Sequence, residues 1–225
     1  MEKIGRERFK NLLRFKMPPE DIDLVMEAYR MSKYAHKGQE RDSGERYFEH
    51  PKEAALILIE FGVYDRDIII AELNHDTVED SFIYGNFEEA MTNFAKRFGV
   101  RAAKILRKVT KPPCEPEKKA IYNVIFLENL QTAHVEDKLA KLADRLHNMR
   151  NLASCTIEKQ KRQLAETETY YLPLAKDVSP FFPQFQEELR KECAATRERI
   201  RLHESAARPP QPFQNNDPVR TEEST

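Results

Sequence analysis

Residues 66–80 read RDIIIAELNHDTVED, and the placing of their apolar and acidic side chains decides the fold. Ile69, Leu73, Asp76 and Asp80 follow one another at spacings of 4, 3 and 4, so they share one face of an α-helix, and carboxylates continue a face that begins apolar. His75 and Glu79 form a second pair four residues apart, adjacent to the first on the helix surface. Asp65 stands where it can cap the helix. Acids at a helix C-terminus oppose the macrodipole, a cost that points to a use. The ordinary alternative is a capped surface helix with an acidic end, and the segments on either side argue against it.

Working outward, the apolar period is helical almost everywhere. Asp21 is placed to cap a helix after Pro18-Pro19 in which Ile22, Val25, Met26 and Tyr29 recur, ending at Lys37-Gly38. GQERDSGERYFEHP, residues 38–51, has no period and reads as a loop, the kind of segment in which function concentrates. His50 precedes Pro51, and proline suits the start of a helix, so His50 is expected at a helix start. That helix runs through KEAALILIEFG to about Gly62. Beyond the central segment, Phe87, Ala90, Met91, Phe94 and Phe98 form a stripe ending at Gly99, and Val100 to Val109 continues as a helix up to Pro112-Pro113. PPCEPEKK is a surface connector. Ala120, Ile121, Val124, Ile125, Leu127 and Leu130 predict a further helix, Val135 to Leu152 a long one, and residues 182–205 a charged one.

No strand pattern competes, so the fold class is all-α. At 225 residues the chain can bury one sizeable core. The expected organisation is an N-terminal extension at 1–20, one helical domain at 21–205, and a disordered tail at 206–225, whose prolines and polar residues leave little to bury. Lys and Arg number 37 against 38 Asp and Glu, a net charge of −1, which leaves no large electrostatic footprint for nucleic acid. Cys114, Cys155 and Cys193 are scattered, implying neither a disulfide framework nor a zinc knuckle and fitting a reducing compartment. The opening MEKIGRERFKNLLRFK lacks the apolar centre of a signal peptide, and no apolar run approaches the roughly 18 residues of a membrane span. A cytoplasmic protein without a membrane anchor is expected.

In the long helix, Leu139, Leu142, Leu146 and Met149 occupy one side while Lys141, Asp144, Arg145 and Asn148 crowd the adjacent side. Asp144 and Asn148 are four apart and project to one locality, where a carboxylate can bind metal and an amide can read a sugar or base edge. Lys141 and Arg145 can meet phosphate or form surface ion pairs. His147 lies on another face and reads as structural, and His36, His134 and His203 match no ligand spacing.

Three blocks in order, HKGQERDSGERYFEHP, NHDTVED and KLADRLHNMRNL, supply imidazoles and carboxylates, the residue types that hold a hydrolytic divalent metal with room for water. They resemble the hydrolase domain of the Rel/Spo alarmone enzymes, members of the HD metal-dependent phosphohydrolases. The resemblance covers residues 22 to 180 and closes with ETETYYLPLA, similar to the segment that ends that domain. It implies an HD-domain helical bundle with a metal site in its core. His50, His75, Asp76 and Asp144 match the metal ligands, and Glu79 and Asp80 match the acidic pair that activates and orients water. Arg41 matches the residue that stacks on guanine and Asn148 a nucleoside contact; Lys141, Arg145 and Asn151 complete the expected substrate-binding set.

The implied reaction removes the 3′-pyrophosphate of ppGpp or pppGpp to give GDP or GTP and pyrophosphate, countering alarmone synthesis in the stringent response. The metal implied is usually manganese; without thiolates the ligand set favours such a harder ion over structural zinc, while also accepting iron, zinc or magnesium. Because the chain ends soon after the hydrolase segment, a small single-domain hydrolase is expected, functionally paired with an alarmone synthetase, with homo-oligomerisation open. Two departures bear on base selectivity: Arg46 stands where proline is common, and Asn151 where threonine lies near the base. The alternatives are an HD-type hydrolase of another nucleotide such as NADPH or of a pyrophosphorylated nucleic-acid end, and a non-catalytic antitoxin-like binding module, against which the intact ligands count. A diiron oxygenase would need further histidines that this spacing does not provide.

Overall fold

The apolar stripes become helices nearly where the period places them. The structure, a computed structural model, describes residues 4–41, 44–80 and 86–206, and of Glu79 and Asp80 the backbone alone. In chain order the helices are α1 (Arg6–Leu13), α2 (Pro19–Ala35), α3 (Glu49–Glu60), α4 (Arg66–Asp80), α5 (Phe87–Phe98), α6 (Val100–Val109), α7 (Lys119–Gln131), α8 (Val135–Arg150), α9 (Ile157–Glu166), α10 (Leu172–Val178) and α11 (Pro183–Ala206). Among the described residues there is no strand, and the all-α class holds; an isolated antiparallel bridge joins Glu40 to Arg46.

α4 is the axis of the molecule. It packs against α2, α3, α6 and α8, and from Ile68 to Val78 every one of its residues is buried, as expected of a helix enclosed on all sides. α3 and α8 also pack on one another, so α3, α4 and α8 form a mutually touching trio. Any polar residue on their shared faces is forced into the core.

Several details differ from the sequence reading, each for a local reason. The segment set apart as an N-terminal extension supplies α1, whose Phe9 and Leu13 are fully buried; these two apolar residues four apart dock against α2 and α3, with the Phe9 ring 5.2 Å from that of Tyr29. α2 begins at Pro19, in the first turn where a missing N–H is harmless, and Asp21 serves as the ion-pair partner of Arg66 at 2.7 Å instead of as a cap. α3 starts two residues before Pro51, from a turn in which Glu49 N–H donates to Arg46 C=O and His50 N–H to Tyr47 C=O. α8 ends at Arg150 and gives way to a 3₁₀ turn at Leu152–Ser154. In α7, Leu127 and Leu130 are buried while Ile121, Val124 and Ile125 are exposed, because that helix touches the domain along one edge. α11 runs through Ala206, and the expected tail at 207–225 lies outside the described residues. No described helix is long and apolar enough to cross a membrane.

The loop before α3 is folded on itself. Tyr47 N–H donates to Gln39 C=O at 2.9 Å and Arg41 N–H to Glu45 C=O at 2.8 Å, and Gly44 turns the chain at φ +76. His36, buried beneath, stacks on Tyr47 at 4.7 Å. Arg41 is thereby presented from a braced turn.

The start of α4 is fixed by Asp65, whose carboxylate accepts from the N–H groups of Asp67 and Ile68 and pairs with Arg101 at 2.7 Å. Burial raises this carboxyl, but Arg101 and the two N–H groups outweigh it and hold it below the usual range. Asp65→Ala should lower stability by about 1 kcal/mol, a fall in Tm of roughly 2–4 °C. A depressed carboxyl contributes its stability above the unfolded pKa of about 3.9 and loses it as pH falls through the folded value. The Tm gap between parent and Asp65→Asn, measured by thermal unfolding, should therefore be fully open at pH 7 and begin to narrow as pH falls below about 4.

Candidate metal centre

His50 comes from the first turn of α3, His75 and Asp76 from the buried length of α4, and Asp144 from the middle of α8. All four are buried, and the packing of the three helices brings them together. One ligand atom from each of His50, His75 and Asp76 lies within 4.8 Å of the others. Asp144 stands beside them, its Oδ1 3.2 Å from His50 Nε2 and 3.9 Å from His75 Nε2. Asp76 closes the ring, 3.0 Å from His75 Nε2 and 3.5 Å from His50 Nε2.

Each imidazole is oriented from behind. His75 Nδ1 lies 2.7 Å from the carbonyl oxygen of Glu72, which can only accept, so Nδ1 carries a proton and Nε2 faces the carboxylates. His50 Nδ1 lies 2.7 Å from His147 Nδ1, one ring donating to the other. Asp144 is braced by Lys141 Nζ at 2.7 Å and by the Asn148 amide, which donates to Oδ1 at 2.6 Å.

Burial and charge compete at every group. Burial would raise Asp76, but His75 and His50 outweigh it and hold the carboxyl far below its usual range. Asp144 is likewise raised by burial and carried well below by Lys141, His50 and His75. Burial lowers His50 against the pull of Asp144 and Asp76. For His75, burial is overcome by Asp76, Glu72 and Asp144, which raise it well above an ordinary histidine. Two carboxylates held ionised and two Nε2 atoms converging in a buried site make a place where positive charge is favoured. Nitrogen and oxygen donors with no thiolate suit a divalent ion of intermediate hardness.

Asp144 also opens onto a cavity of about 1100 Å³ lined by Arg41, Lys141, Arg145, Asn148 and Asn151. The structure thus gathers every expected substrate-binding residue around one space, with differing commitments. Arg41 Nη2 donates to Asn148 Oδ1 at 2.8 Å, and its Nη1 lies 3.5 Å from His147 Nδ1. Asn151 donates to the His147 carbonyl at 2.9 Å. Arg145 is bound within the protein by Glu166 and Gln163 and lies 4.0 Å over the Tyr171 ring, so it shapes the wall. Tyr171 is turned there by a π-helical segment, Thr167–Tyr171, a distortion that recurs at functional sites. Arg46 does not enter the cavity wall; it pairs with Glu49 at 2.6 Å, which Lys52 clamps from the other side. The side chains of Glu79 and Asp80 lie outside the described residues.

Two residues bearing on the centre were not singled out as such from the sequence. His147, read as structural, is the partner of His50 and is itself pushed down by burial and by the His50 and Arg41 charges. Glu72 sits three residues before His75 with its carboxylate buried, and burial drives its carboxyl up to about 8 against His75. The i, i+3 spacings Glu72–His75 and Asp144–His147 were the available signals.

The chain is similar to known proteins in sequence and in fold. The chain is 38% identical over 165 residues to a GTP pyrophosphokinase of Myxococcus xanthus, covering 70% of this chain and 21% of that protein. It is 36% identical over 160 residues to a guanosine-3′,5′-bis(diphosphate) 3′-pyrophosphohydrolase of Aquifex aeolicus, covering 70% and 22%. With the bifunctional (p)ppGpp synthase/hydrolase SpoT of Escherichia coli the identity is 34% over 174 residues, covering 75% and 24%. The chain therefore spans less than a quarter of the length of these relatives. A solved structure described as "A metazoan ortholog of SpoT hydrolyzes ppGpp and plays a role in starvation responses" superposes with a TM-score of 0.63 at 23% identity, over 81% of this chain and 97% of that one; at that identity the likeness is one of fold. Residues 28–178 match the HD domain family, so the chain belongs to the HD-domain family.

Proposed function

We propose that the protein is a manganese-dependent hydrolase that removes the 3′-pyrophosphate of ppGpp and pppGpp, yielding GDP or GTP and pyrophosphate. The observation that carries this reading is the buried set of two imidazoles and two carboxylates whose Asp144 opens onto a nucleotide-sized cavity. The names of the pyrophosphohydrolase relatives support the choice of substrate. His50, His75, Asp76 and Asp144 would hold the ion, which supplies Lewis acidity to water and to a phosphoryl oxygen.

The chain's own groups do the remainder. Glu79, in the last turn of α4, orients the attacking water and takes its proton; Asp80 assists in placing it. Water oxygen bonds to phosphorus as the bond from phosphorus to the ribose 3′-oxygen breaks, and the proton that Glu79 took from water passes to that oxygen as it leaves. Arg41 lies on the base with its planar guanidinium, Asn148 reads the nucleoside, Asn151 borders the base position and Lys141 faces phosphate beside Asp144. Arg145, spent on Glu166, keeps the wall in shape. Such an enzyme acts in the cytoplasm opposite an alarmone synthetase in the stringent response, with residues 21–205 as its hydrolase domain. The direct test is to strip the purified protein of metal, restore manganese, and assay ppGpp, pppGpp, NADPH and deoxynucleotides. Pyrophosphate should appear from the alarmones; its absence from both would move the function to another phosphate ester.

Asp76→Ala removes a charged ligand that the other three cannot replace, so manganese content and turnover should fall together; full manganese occupancy with parental turnover would overturn the ligand assignment. Glu79→Gln should depress turnover by roughly 100-fold or more while manganese and nucleotide binding persist, read by separate binding and kinetic measurements. Arg41→Ala should raise the Michaelis constant for ppGpp several-fold, in line with about 0.5–2 kcal/mol for a cation stacked on a ring, with manganese content unchanged. Parental kinetics in that variant would take Arg41 out of the base site.

A further inference from the structure

Glu72 is a buried acid whose carboxyl has His75 as an ion-pair neighbour but accepts no hydrogen bond among the described residues. It lies at 0% exposure in the middle of α4, between Ala71 and Leu73, themselves fully buried. Neither of its side-chain oxygens has a hydrogen-bond partner among the described residues. A carboxyl buried without a hydrogen bond is a costly burial, charged or not, and an apolar residue of similar size would remove that cost. The position is therefore expensive for folding alone.

The neighbourhood says what the carboxyl is for. Glu72 Oε1 lies 3.6 Å from His75 Nδ1, just beyond hydrogen-bond length, while that nitrogen donates to the carbonyl oxygen of the same residue at 2.7 Å. His75 Nε2, across the ring, faces Asp76 at 3.0 Å and Asp144 at 3.9 Å. One residue thus offers two acceptors behind an imidazole whose front nitrogen points into the carboxylate cluster.

We propose that Glu72 is a positioning residue for His75: while its carbonyl oxygen holds the Nδ1 proton, its carboxyl backs the same side of the ring and strengthens Nε2 as a donor to a divalent ion. The role rests on the metal reading of the centre. Carboxylates behind ligating histidines orient the ring and raise its basicity, and their removal weakens metal affinity by about 10–100-fold. Here the carboxylate comes from the ligand's own helix, one turn earlier.

The test uses the full chain, stripped of metal, with manganese as the probe. Glu72→Gln keeps the shape and loses the charge; Glu72→Leu also removes the polar atoms. Titration calorimetry should show both variants binding manganese at least about 10-fold more weakly than the parent. Thermal unfolding of the metal-free proteins should show the Leu variant as stable as the parent or more so, because a carboxyl buried without a hydrogen bond has gone. A merely structural Glu72 predicts the reverse pair, lower metal-free stability with parental affinity, and that result overturns the proposal. If the Leu variant does not fold, the Gln variant decides: affinity within twofold of the parent overturns it. A parent protein that binds no manganese removes the metal reading itself, and this role with it, and is told apart from the other failures by the parent's own titration.

Discussion

The constraint on which the rest of this structure depends is the enclosure of mutually attracting charges where α3, α4 and α8 meet. Burying Asp76 and Asp144 would be ruinous if they were alone, and the two imidazoles with Lys141 make it tolerable. Each member is in turn held by a group behind it: Glu72 for His75, His147 for His50, Asn148 and Lys141 for Asp144. Much of the enclosing apolar shell comes from the same three helices, with α2 and α6 closing over α4, so apolar and charged residues are interleaved along them. A change in helix packing is necessarily a change in the electrostatics of the centre.

Around this cluster the molecule separates rigid from presented groups. Arg145 is paired with Glu166 and lies over the Tyr171 ring, and Asn123 completes that corner by donating to Glu166 at 3.0 Å. Arg41, by contrast, reaches in from a turn closed by a two-residue bridge, touching both Asn148 and the His147 ring. Two arginines on one cavity therefore differ in kind, one mortared into the wall and one held at the mouth by neutral partners it can exchange.

Much of this was legible in the sequence because it is periodic. The acids of α4 continue an apolar stripe, and Asp144 with Asn148 sit at helical spacing on α8, so the helices and the faces that would meet could be read directly. The resemblance supplied which residues act together across some ninety positions of sequence, something periodicity has no access to. What escaped was of three sorts. Glu72 is an acid inside an apolar run, and a periodic reading treats such a residue as surface. His147 was assigned to another face because face was judged by spacing along α8, whereas its partner arrives from α3. In α1, two apolar residues among basic ones carry little periodic signal, although Phe9 and Leu13 find a finished core to dock on. Pairings between elements, not propensities within them, account for each of these.

The four ligand candidates lie on three helices, and His50 and Asp144 are far apart along the chain. Apart from the adjacent pair His75-Asp76, an unfolded chain holds no part of the set in place, so an ion of this kind binds the native state and scarcely the unfolded one. By linkage, such an ion adds RT ln(1 + [ion]/Kd) to the folding free energy, about 2.7 kcal/mol when free ion stands at a hundred times Kd. Scarcity of the ion would then lower the amount of folded protein as well as the rate per molecule. A cell short of that metal would lose the protein by turnover, coupling its abundance to metal supply without any dedicated sensor.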